Sequence, residues 1–331
     1  MRLALTVAAA LTLSTSAMPA HATEIGGPRA FAFIALGDMP YKLPDDYARF
    51  DALIAKINKA KPEFSVHVGD IKSGSTPCTD ENFQKVKDQF ATFEQPLVYA
   101  IGDNEWTDCH RDRAGKFKPT ERLTKVRQMF FDGKPLAKAA IAVERQADVM
   151  PEMKATDGSG FVENARWVKN GVLFAAVHVP GSNNNFEPRD LDTVNEYFAR
   201  NKANVAWLDA AFAKAKADNL SAMVIAWQAD VWDIKQSEPA VPVASGFVDT
   251  IKAVERGARA FGKPVLVING DNHIFLVTPF YGTDLKPVPN VTRLQVMGEA
   301  IVGAVRVVVD PDNAEAPFAF QPINEAPKAA N

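Results

Sequence analysis

Four short apolar segments of this sequence each end in a Gly-Asp pair. The segments cover residues 31–36, 64–68, 97–101 and 265–268, and the pairs are Gly37-Asp38, Gly69-Asp70, Gly102-Asp103 and Gly270-Asp271. Short apolar runs bounded by turn residues are typical of buried strands. In a largely parallel sheet the carboxyl ends of the strands lie along one edge, and ligands bind there. The pattern therefore predicts an α/β protein with four aspartates gathered at one edge.

His273 follows the last of these pairs and would join the same cluster. Carboxylates held close together repel one another, and a bound metal ion is the usual compensation. A single Gly-Asp pair after a strand is ordinarily only a turn, because glycine accepts positive φ and aspartate hydrogen-bonds to its own backbone. Since the pair occurs four times in the same context, the sequence favours a metal site over four unrelated turns.

The first 22 residues have the pattern of a secretory signal peptide. Arg2 supplies the positive end, residues 3–13 are apolar, and Ala20-His21-Ala22 forms a cleavage site. The apolar stretch is shorter than the ~20 residues that span a bilayer. No later segment is long and apolar enough, so we expect no membrane anchor after cleavage. The sequence thus predicts a periplasmic or secreted protein.

The composition is that of an ordinary globular protein. The 331 residues are 47% hydrophobic, which is enough for a large core, and the formal net charge is −3. Because there is no basic excess, the chain lacks the electrostatic footprint of a nucleic-acid-binding protein.

Cys78 and Cys109 are the two cysteines of the chain, 31 positions apart. Each follows one of the Gly-Asp turns, so the two are expected to be neighbours. In an exported protein a disulfide is the expected state. A catalytic thiol is the alternative, but the sequence carries no signature for one. Closing a loop of this length stabilises a fold by about 3–4 kcal/mol in the chain-entropy model.

Helical patterns alternate with the apolar segments. They predict helices over 44–61, 79–93, 116–131, 190–218 and 246–261, and further strands over 161–168, 172–179, 222–226, 274–277, 292–297 and 304–309. Asn170-Gly171 between two strand-like runs predicts a hairpin. We expect one domain over residues 23–315. The Pro- and Ala-rich segment 316–331 is expected to be a flexible tail.

These motifs resemble the calcineurin-like metallophosphoesterase family, in order and spacing, over nearly the whole chain after the signal. The family pattern is D-x-H, then G-D, then G-N-H-D/E, then a lone histidine after a strand, then G-H-x-H. The resemblance implies a four-layer αββα sandwich with two mixed β-sheets. It also implies two divalent metal ions and the hydrolysis of phosphate esters.

The resemblance further implies a set of metal ligands, with Asp70 as the carboxylate that bridges the two ions. Pro40 stands where the family has a ligating histidine, and proline cannot ligate a metal. The positions that remain as candidate ligands are Asp38, Asp70, Asp103, Gln228, Asp271 and His273. Because carboxylates replace imidazoles in this set, it favours Mg²⁺, Mn²⁺ or Ca²⁺ over zinc or iron.

The candidate catalytic residues lie in the third motif. Asn104 stands where the family has its catalytic histidine, and Glu105 keeps the acidic position beside it. His110, in the same turn, is a candidate for the missing leaving-group acid. The candidate substrate-binding residues are Arg111, Asn183 and Asn184, since arginine matches phosphate oxygens bidentately and amides donate hydrogen bonds. Each of these has an ordinary alternative as a surface or turn residue.

Two functions remain open at this point. The first is an exported phosphoesterase that hydrolyses a small-molecule phosphate ester with a metal-activated water. The second is a catalytically inactive binding module with the same fold, which the residues Pro40 and Asn104 favour. The acids kept at most of the altered metal positions favour the first, since a cluster of buried carboxylates is costly without a purpose. The chain lacks the Gly-x-Ser-x-Gly elbow of α/β hydrolases and the Gly-x-Gly-x-x-Gly turn of dinucleotide-binding folds.

Overall fold

A computed structural model describes residues 26–233 and 244–324 of the chain. The predicted signal peptide, 1–22, lies outside the described residues. The strands are β1 Phe31–Leu36, β2 Ser65–His67, β3 Leu97–Tyr99, β4 Glu144–Arg145, β5 Ala165–Lys169, β6 Val172–Ala176, β7 Ala222–Ala226, β8 Val265–Asn269, β9 Leu276–Tyr281, β10 Pro287–Gln295, β11 Gly303–Val309 and β12 Phe318–Asn324. The helices are α1 Asp45–Ala60, α2 Asp80–Phe90, α3 Pro119–Phe130, α4 Gln146–Val149, α5 Gly181–Asn184, α6 Leu191–Ala217 and α7 Val248–Phe261.

The strands form two mixed sheets. The order is β12-β11-β1-β2-β3 in the five-stranded sheet and β4-β5-β6-β7-β8-β10-β9 in the seven-stranded sheet. Strands β1, β2 and β3 are parallel, as are β6, β7, β8 and β10, while β5, β9, β11 and β12 pair antiparallel with their neighbours. The carboxyl ends of the parallel strands carry the Gly-Asp turns, as expected from the sequence.

Three apolar clusters separate four layers. One lies between the five-stranded sheet and helices α1 to α3, and another between the seven-stranded sheet and helices α6 and α7. The third lies between the two sheets, where Phe33 of β1 meets Phe174 of β6 edge-on with ring centroids 5.3 Å apart. The predicted αββα sandwich with two mixed sheets is confirmed.

Strand β1 shows why its sequence is a continuous apolar run. Phe33 and Ala35 point into the core between the sheets, and Ile34 and Leu36 point towards the helices. Successive side chains of a strand face opposite ways, so a strand covered on both faces is apolar at every position.

The C-terminal segment differs from the prediction. Strand β12 pairs along its whole length with β11, from Phe318 against Val309 to Asn324 against Gly303. The predicted domain boundary at 315 and the flexible tail over 316–331 are therefore wrong for residues 318–324. The Pro and Ala content of this segment is typical of a flexible tail, and it led to the wrong prediction. An edge strand tolerates proline, so the same composition is compatible with β12. Residues 325–331 lie outside the described part of the chain.

The hairpin and the helices follow the sequence patterns closely. Asn170 and Gly171 both have positive φ, and β5 pairs with β6 around them. Helices α1, α2, α3, α6 and α7 begin and end within a few residues of the predicted bounds, whereas the short helices α4 and α5 were not predicted. In the two described stretches, no helix combines the length and the apolar composition needed to cross a membrane.

Candidate functional site

The turns after β1, β2, β3 and β8 meet at a cavity of about 380 Å³. The predicted residues Asp70, Asp103, Asn104, Arg111, Asp271 and His273 line it, together with Tyr41, Gly74, Asp108, Ser182 and Glu187. The cavity lies between the carboxyl edges of both sheets. The sequence pattern therefore predicted correctly that these side chains lie together at one edge.

Three of the predicted ligands form a group that fits one metal ion. Asp38, Asp70 and His273 each offer a ligand atom within 4.8 Å of the others. Asp38 and Asp70 are buried, and His273 Nε2 lies 3.4 Å from Asp38 Oδ1. The other ring nitrogen of His273 contacts Glu299 Oε2 at 3.3 Å, which orients the imidazole as a carboxylate does behind many metal-bound histidines.

The backbone at these ligands is held in an uncommon conformation. Asp38, Asp70 and His273 have φ of 56°, 58° and 62°, in the left-handed region. Such residues concentrate at functional sites, because the surrounding structure must hold them there. The glycines that precede the aspartates are needed for a different reason, because a side chain at two of them would collide with a ligand carboxylate. A Cβ on Gly102 would lie 2.2 Å from Asp70 Oδ1, and one on Gly270 would lie 2.1 Å from Asp38 Oδ2.

Asp70 is surrounded by hydrogen-bond donors. Its Oδ2 accepts from Tyr41 Oη at 2.8 Å, from Asn104 Nδ2 at 2.8 Å and from Gln228 Nε2 at 3.2 Å. Its Oδ1 accepts from the backbone N–H of Asn104 at 3.2 Å. Asn104 thus lines the cavity, but its amide is engaged with the carboxylate rather than directed at a leaving group.

Gln228 does not present an oxygen to a metal ion. Its Oε1 accepts a hydrogen bond from the backbone N–H of Gly181, which places its Nε2 towards Asp70. Since a backbone N–H can only donate, the amide oxygen must face Gly181. The predicted role of Gln228 as a metal ligand is therefore wrong in this arrangement.

Asp103 and Asp271 approach one another, and each accepts a hydrogen bond from a different segment. A Cβ on Gly181 would lie 2.8 Å from Asp103 Oδ2 and 3.1 Å from Asp271 Oδ1. Asp103 Oδ2 accepts from Ser182 Oγ at 2.8 Å, and Asp271 Oδ2 accepts from the backbone N–H of Asp230 at 2.9 Å. Neither residue takes part in a group of three close ligand atoms among the described residues.

Burial and mutual repulsion raise the pKa values of the acids here. Burial, followed by the charges of Asp103 and Glu105, raises the pKa of Asp70 well above its usual range. Burial and then Asp108 raise the pKa of Asp103 to about 6. Burial also lowers the pKa of Lys72, which lies beside the same acids, to about 8. A cation bound among the carboxylates would oppose this repulsion.

Arg111 is held at the cavity by an acid that the sequence did not single out. Its Nη1 lies 2.5 Å from Asp108 Oδ2, and the Arg111 side chain is 41% exposed. Asp108 is buried, and its Oδ1 accepts from Ser182 Oγ at 2.7 Å. Arg111 is thus oriented towards the cavity with donors left to meet an anion, as the prediction requires.

Two of the predicted catalytic residues have other partners. Glu105 is fully buried, and its Oε1 accepts from Tyr99 Oη at 2.6 Å and from the Gly102 N–H at 2.6 Å. It braces the third turn and does not line the cavity. His110 Nδ1 lies 2.7 Å from the Thr107 carbonyl oxygen, against Arg189, and also lies outside the cavity. The structure therefore does not place the predicted catalytic residues Glu105 and His110 at the cavity.

Asn183 and Asn184 are structural residues and do not line the cavity. Asn183 Nδ2 donates to the carbonyl oxygens of Phe186 and Ala244, and Asn184 Nδ2 donates to that of Gly246. Both are buried, and Ser182 through Asn185 all have positive φ. Asparagine tolerates this left-handed turn, which explains the Asn run. The structure therefore does not bring Asn183 and Asn184 to the cavity, where the predicted substrate-binding residues were expected.

Tyr41, Asp108 and Ser182 were missed by the sequence analysis. Asp108 precedes Cys109 in the third turn, and Ser182 precedes the Asn run, so both lay beside segments already singled out. Tyr41 follows the first motif by three residues. Proximity in sequence to the motifs was the available signal, but no spacing rule indicates which neighbour faces the cavity.

The predicted disulfide is confirmed. Cys78 and Cys109 are bonded, with Cα atoms 5.8 Å apart, and no cysteine is free. The bond joins the loop after β2 to the turn after β3. It therefore links the segments that carry Asp70, Asp103 and Asp108.

The fold is similar to that of a solved dimetal phosphatase, and two further solved structures align less well. A dimetal phosphatase from Danio rerio aligns with a TM-score of 0.54 and 10% identity, over 89% of this chain and 99% of that chain. GAP50, the anchor in the inner membrane complex of Plasmodium, aligns with a TM-score of 0.47 and 10% identity, over 90% of each chain. The purple acid phosphatase PPD1 from yellow lupin aligns with a TM-score of 0.45 and 8% identity, over 89% of this chain and 54% of that one. No protein-family model and no curated protein matches the chain. The protein has the calcineurin-like metallophosphoesterase fold, as the motifs predicted.

The residues fit one of the two ions that the motif resemblance implies. Asp38, Asp70 and His273 supply two carboxylates and an imidazole for a first ion. The second position does not fit, because the amide nitrogens of Asn104 and Gln228 face Asp70 where ligand atoms are needed.

Proposed function

We propose that this protein is an exported metal-dependent phosphoesterase that hydrolyses a small-molecule phosphate ester. The observation that carries the proposal is the convergence of Asp38, Asp70 and His273 at a cavity that Arg111 also lines. A divalent ion held by the three residues would supply a water of lowered pKa and charge compensation for the phosphoryl group. An ion bound by two carboxylates and one imidazole is more consistent with Mg²⁺, Mn²⁺ or Ca²⁺ than with zinc or iron.

The chain's own groups have distinct tasks in this proposal. Arg111, fixed by Asp108, receives the phosphate oxygens with charge-assisted hydrogen bonds. Asn104 carries a neutral amide that cannot give up a proton to a leaving group. We therefore expect the best substrates to be esters whose leaving groups depart as stable anions, such as nitrophenyl esters.

Two features support export. The predicted signal peptide covers residues 1–22, and the Cys78–Cys109 disulfide is typical of oxidising compartments such as the periplasm.

A catalytically inactive binding module is the second candidate. The observation that favours it is the set of hydrogen bonds from Tyr41, Asn104 and Gln228 to Asp70 Oδ2, which engage the carboxylate that would otherwise bridge two ions. Such a protein would bind phosphate compounds at Arg111 without turnover.

The test is metal reconstitution followed by assays on two generic substrates. The purified protein is stripped of metal and reloaded separately with Mg²⁺, Mn²⁺, Ca²⁺ or Zn²⁺, then assayed with nitrophenyl phosphate and bis-nitrophenyl phosphate. We expect turnover with a hard metal ion that disappears in Asp70→Asn and persists in Asp112→Asn, whose side chain is 84% exposed. Phosphate binding without turnover under every metal would support the binding module.

A further inference from the structure

We propose that this centre binds one divalent ion and that three neutral hydrogen-bond donors take the place of the second. The donors are the Tyr41 hydroxyl and the side-chain amides of Asn104 and Gln228, and we call them the Asp70 donor group. The inference rests on the proposed function only in requiring an ion at Asp38, Asp70 and His273, and it does not require turnover.

The donor group uses the acceptor capacity of one carboxylate oxygen. A carboxylate offers about four lone-pair sites over its two oxygens, or two for each oxygen. Asp70 Oδ2 already accepts from Tyr41 Oη at 2.8 Å, Asn104 Nδ2 at 2.8 Å and Gln228 Nε2 at 3.2 Å. These donors fill Oδ2, and the backbone N–H of Asn104 takes one of the two lone-pair sites of Oδ1. Asp70 therefore keeps one site for the first ion and none for a second in this arrangement.

Neighbouring hydrogen bonds fix which atoms of the Asp70 donor group donate to Asp70. The backbone N–H of Gly181 donates to Gln228 Oε1, so the nitrogen of this amide must point at Asp70. Asn104 Nδ2 also donates to Tyr41 Oη at 2.9 Å. Because the Tyr41 oxygen accepts this bond, the Tyr41 O–H is directed at Asp70 Oδ2 as a donor. All three side chains are buried, which strengthens the bonds and excludes competing water.

Among the described residues, Asp103 and Asp271 join no group of three close ligand atoms, so they do not rebuild the second position. Ser182 Oγ donates to Asp103 Oδ2, and the Asp230 N–H donates to Asp271 Oδ2. Arg111 and the buried Lys72 place positive charge among the same carboxylates, beside Asp108 and Glu105 respectively. Fixed donors and cationic side chains therefore supply part of the compensation that a second ion would give.

Counting bound Mn²⁺ in the wild-type protein tests this directly. After reloading and gel filtration, we expect one Mn²⁺ per chain by elemental analysis and the electron paramagnetic resonance spectrum of an isolated Mn²⁺ ion. Two ions per chain with a spin-coupled spectrum would overturn the inference. A protein that binds no Mn²⁺ at saturating concentration would also overturn it.

A matched pair of substitutions tests the role of the donor group. Gln228→Glu keeps the size of the side chain and exchanges the donor nitrogen for a ligand oxygen, so we expect the count to rise from one Mn²⁺ to two. Gln84→Glu makes the same change on the exposed face of α2 and should leave the count at one. A correctly folded Gln228→Glu protein that still binds one ion would contradict the role assigned to the donors.

Turnover is measured separately on the same samples. One ion per chain without turnover upholds this inference and contradicts the proposed hydrolysis. Turnover with two coupled ions per chain would support the proposed hydrolysis and overturn this inference.

Discussion

Gln228 donates a hydrogen bond to Asp70 over 3.2 Å, and this contact joins the carboxyl edges of the two sheets. Gln228 follows β7 of the seven-stranded sheet, and Asp70 follows β2 of the five-stranded sheet. The distance between them is therefore set by the packing of the sheets against each other, including the contact between Phe33 and Phe174. The site forms only when the whole sandwich forms.

Removal of the imidazole ligand should abolish metal-dependent stabilisation. An ion that binds only the folded state stabilises it by about 2.7 kcal/mol at a concentration of 100 Kd. We expect Mn²⁺ to raise the Tm of the wild type and to leave the Tm of His273→Ala unchanged in differential scanning calorimetry. Glu299→Ala, which removes the carboxylate behind His273, should weaken Mn²⁺ binding by about 10–100-fold and so reduce the stabilisation without abolishing it. An undiminished Mn²⁺ response in His273→Ala would contradict the ligand assignment.

A methyl group on Gly270 should disrupt the metal site specifically. The added Cβ would lie 2.1 Å from Asp38 Oδ2, closer than any real contact, so the carboxylate must move. We expect Gly270→Ala to lower Mn²⁺ affinity at least about 10-fold in isothermal titration calorimetry, since a displaced ligand costs more than about 1.4 kcal/mol. Gly160→Ala is the matched control, because its Cβ would meet Ala147 Cβ at 2.7 Å far from the site. Equal losses of metal affinity in both variants would show a general folding effect instead.

Arg111 should determine phosphate affinity. Charge-assisted hydrogen bonds contribute about 1.5–3 kcal/mol each, so Arg111→Ala should weaken binding of inorganic phosphate by about 10–100-fold. Arg113 is exposed two residues away and does not line the cavity, so Arg113→Ala should leave the affinity unchanged. Binding of phosphate to the metal-loaded proteins can be measured by calorimetry. The assignment fails if the two variants bind phosphate equally well.

The position of the site was predictable because it depends on a repeated local pattern. Asp38, Asp70 and Asp271 follow apolar strands, and parallel strands bring their carboxyl ends together whatever the details of packing. The fold class was predictable for the same reason, since apolar runs and helical periodicity recur along the chain.

The roles of individual side chains were not predictable, because they depend on hydrogen bonds between distant segments. The amide orientation of Gln228 is set by the N–H of Gly181, and Glu105 is directed inwards by Tyr99. Asn184 is occupied by the carbonyl oxygen of Gly246 and by Arg200. Residue type alone indicates what these side chains can donate or accept, but only the assembled fold shows which partner they have.

Loss of the disulfide should destabilise the fold by about 3–4 kcal/mol, the chain-entropy value for its loop. The measurement is urea unfolding of the wild type against the double variant Cys78→Ala/Cys109→Ala, monitored by circular dichroism. The reducing agent dithiothreitol should lower the unfolding free energy of the wild type towards that of the variant. It should leave the unfolding free energy of the variant unchanged. A double variant as stable as the oxidised wild type would show that the bond does not contribute to stability.

Buried His178 should make the protein less stable in mild acid. Burial lowers its pKa to about 4, with Arg200 and Arg127 also opposing its charge, although Glu163 accepts from its Nδ1 at 2.9 Å. The unfolded chain, where the pKa is near 6.5, therefore binds a proton that the folded chain excludes as pH falls from 6.5 towards 4. Between pH 7 and 4.5 this one group should cost about 2–3 kcal/mol of unfolding free energy.

The difference between the wild type and His178→Gln isolates this contribution from the other titrating groups. Glutamine can still donate to Glu163 but does not titrate in this range. In urea unfolding at a series of pH values, the wild type should lose about 2–3 kcal/mol more than His178→Gln between pH 7 and 4.5. Glu163 does not contribute between pH 7 and 4.5. The charge of Arg127 and the hydrogen bond from neutral His178 outweigh its burial and hold its pKa far below its usual range, so its contribution is lost only below about pH 4.5. Parallel curves for the two proteins would mean that His178 does not remain neutral in the folded state.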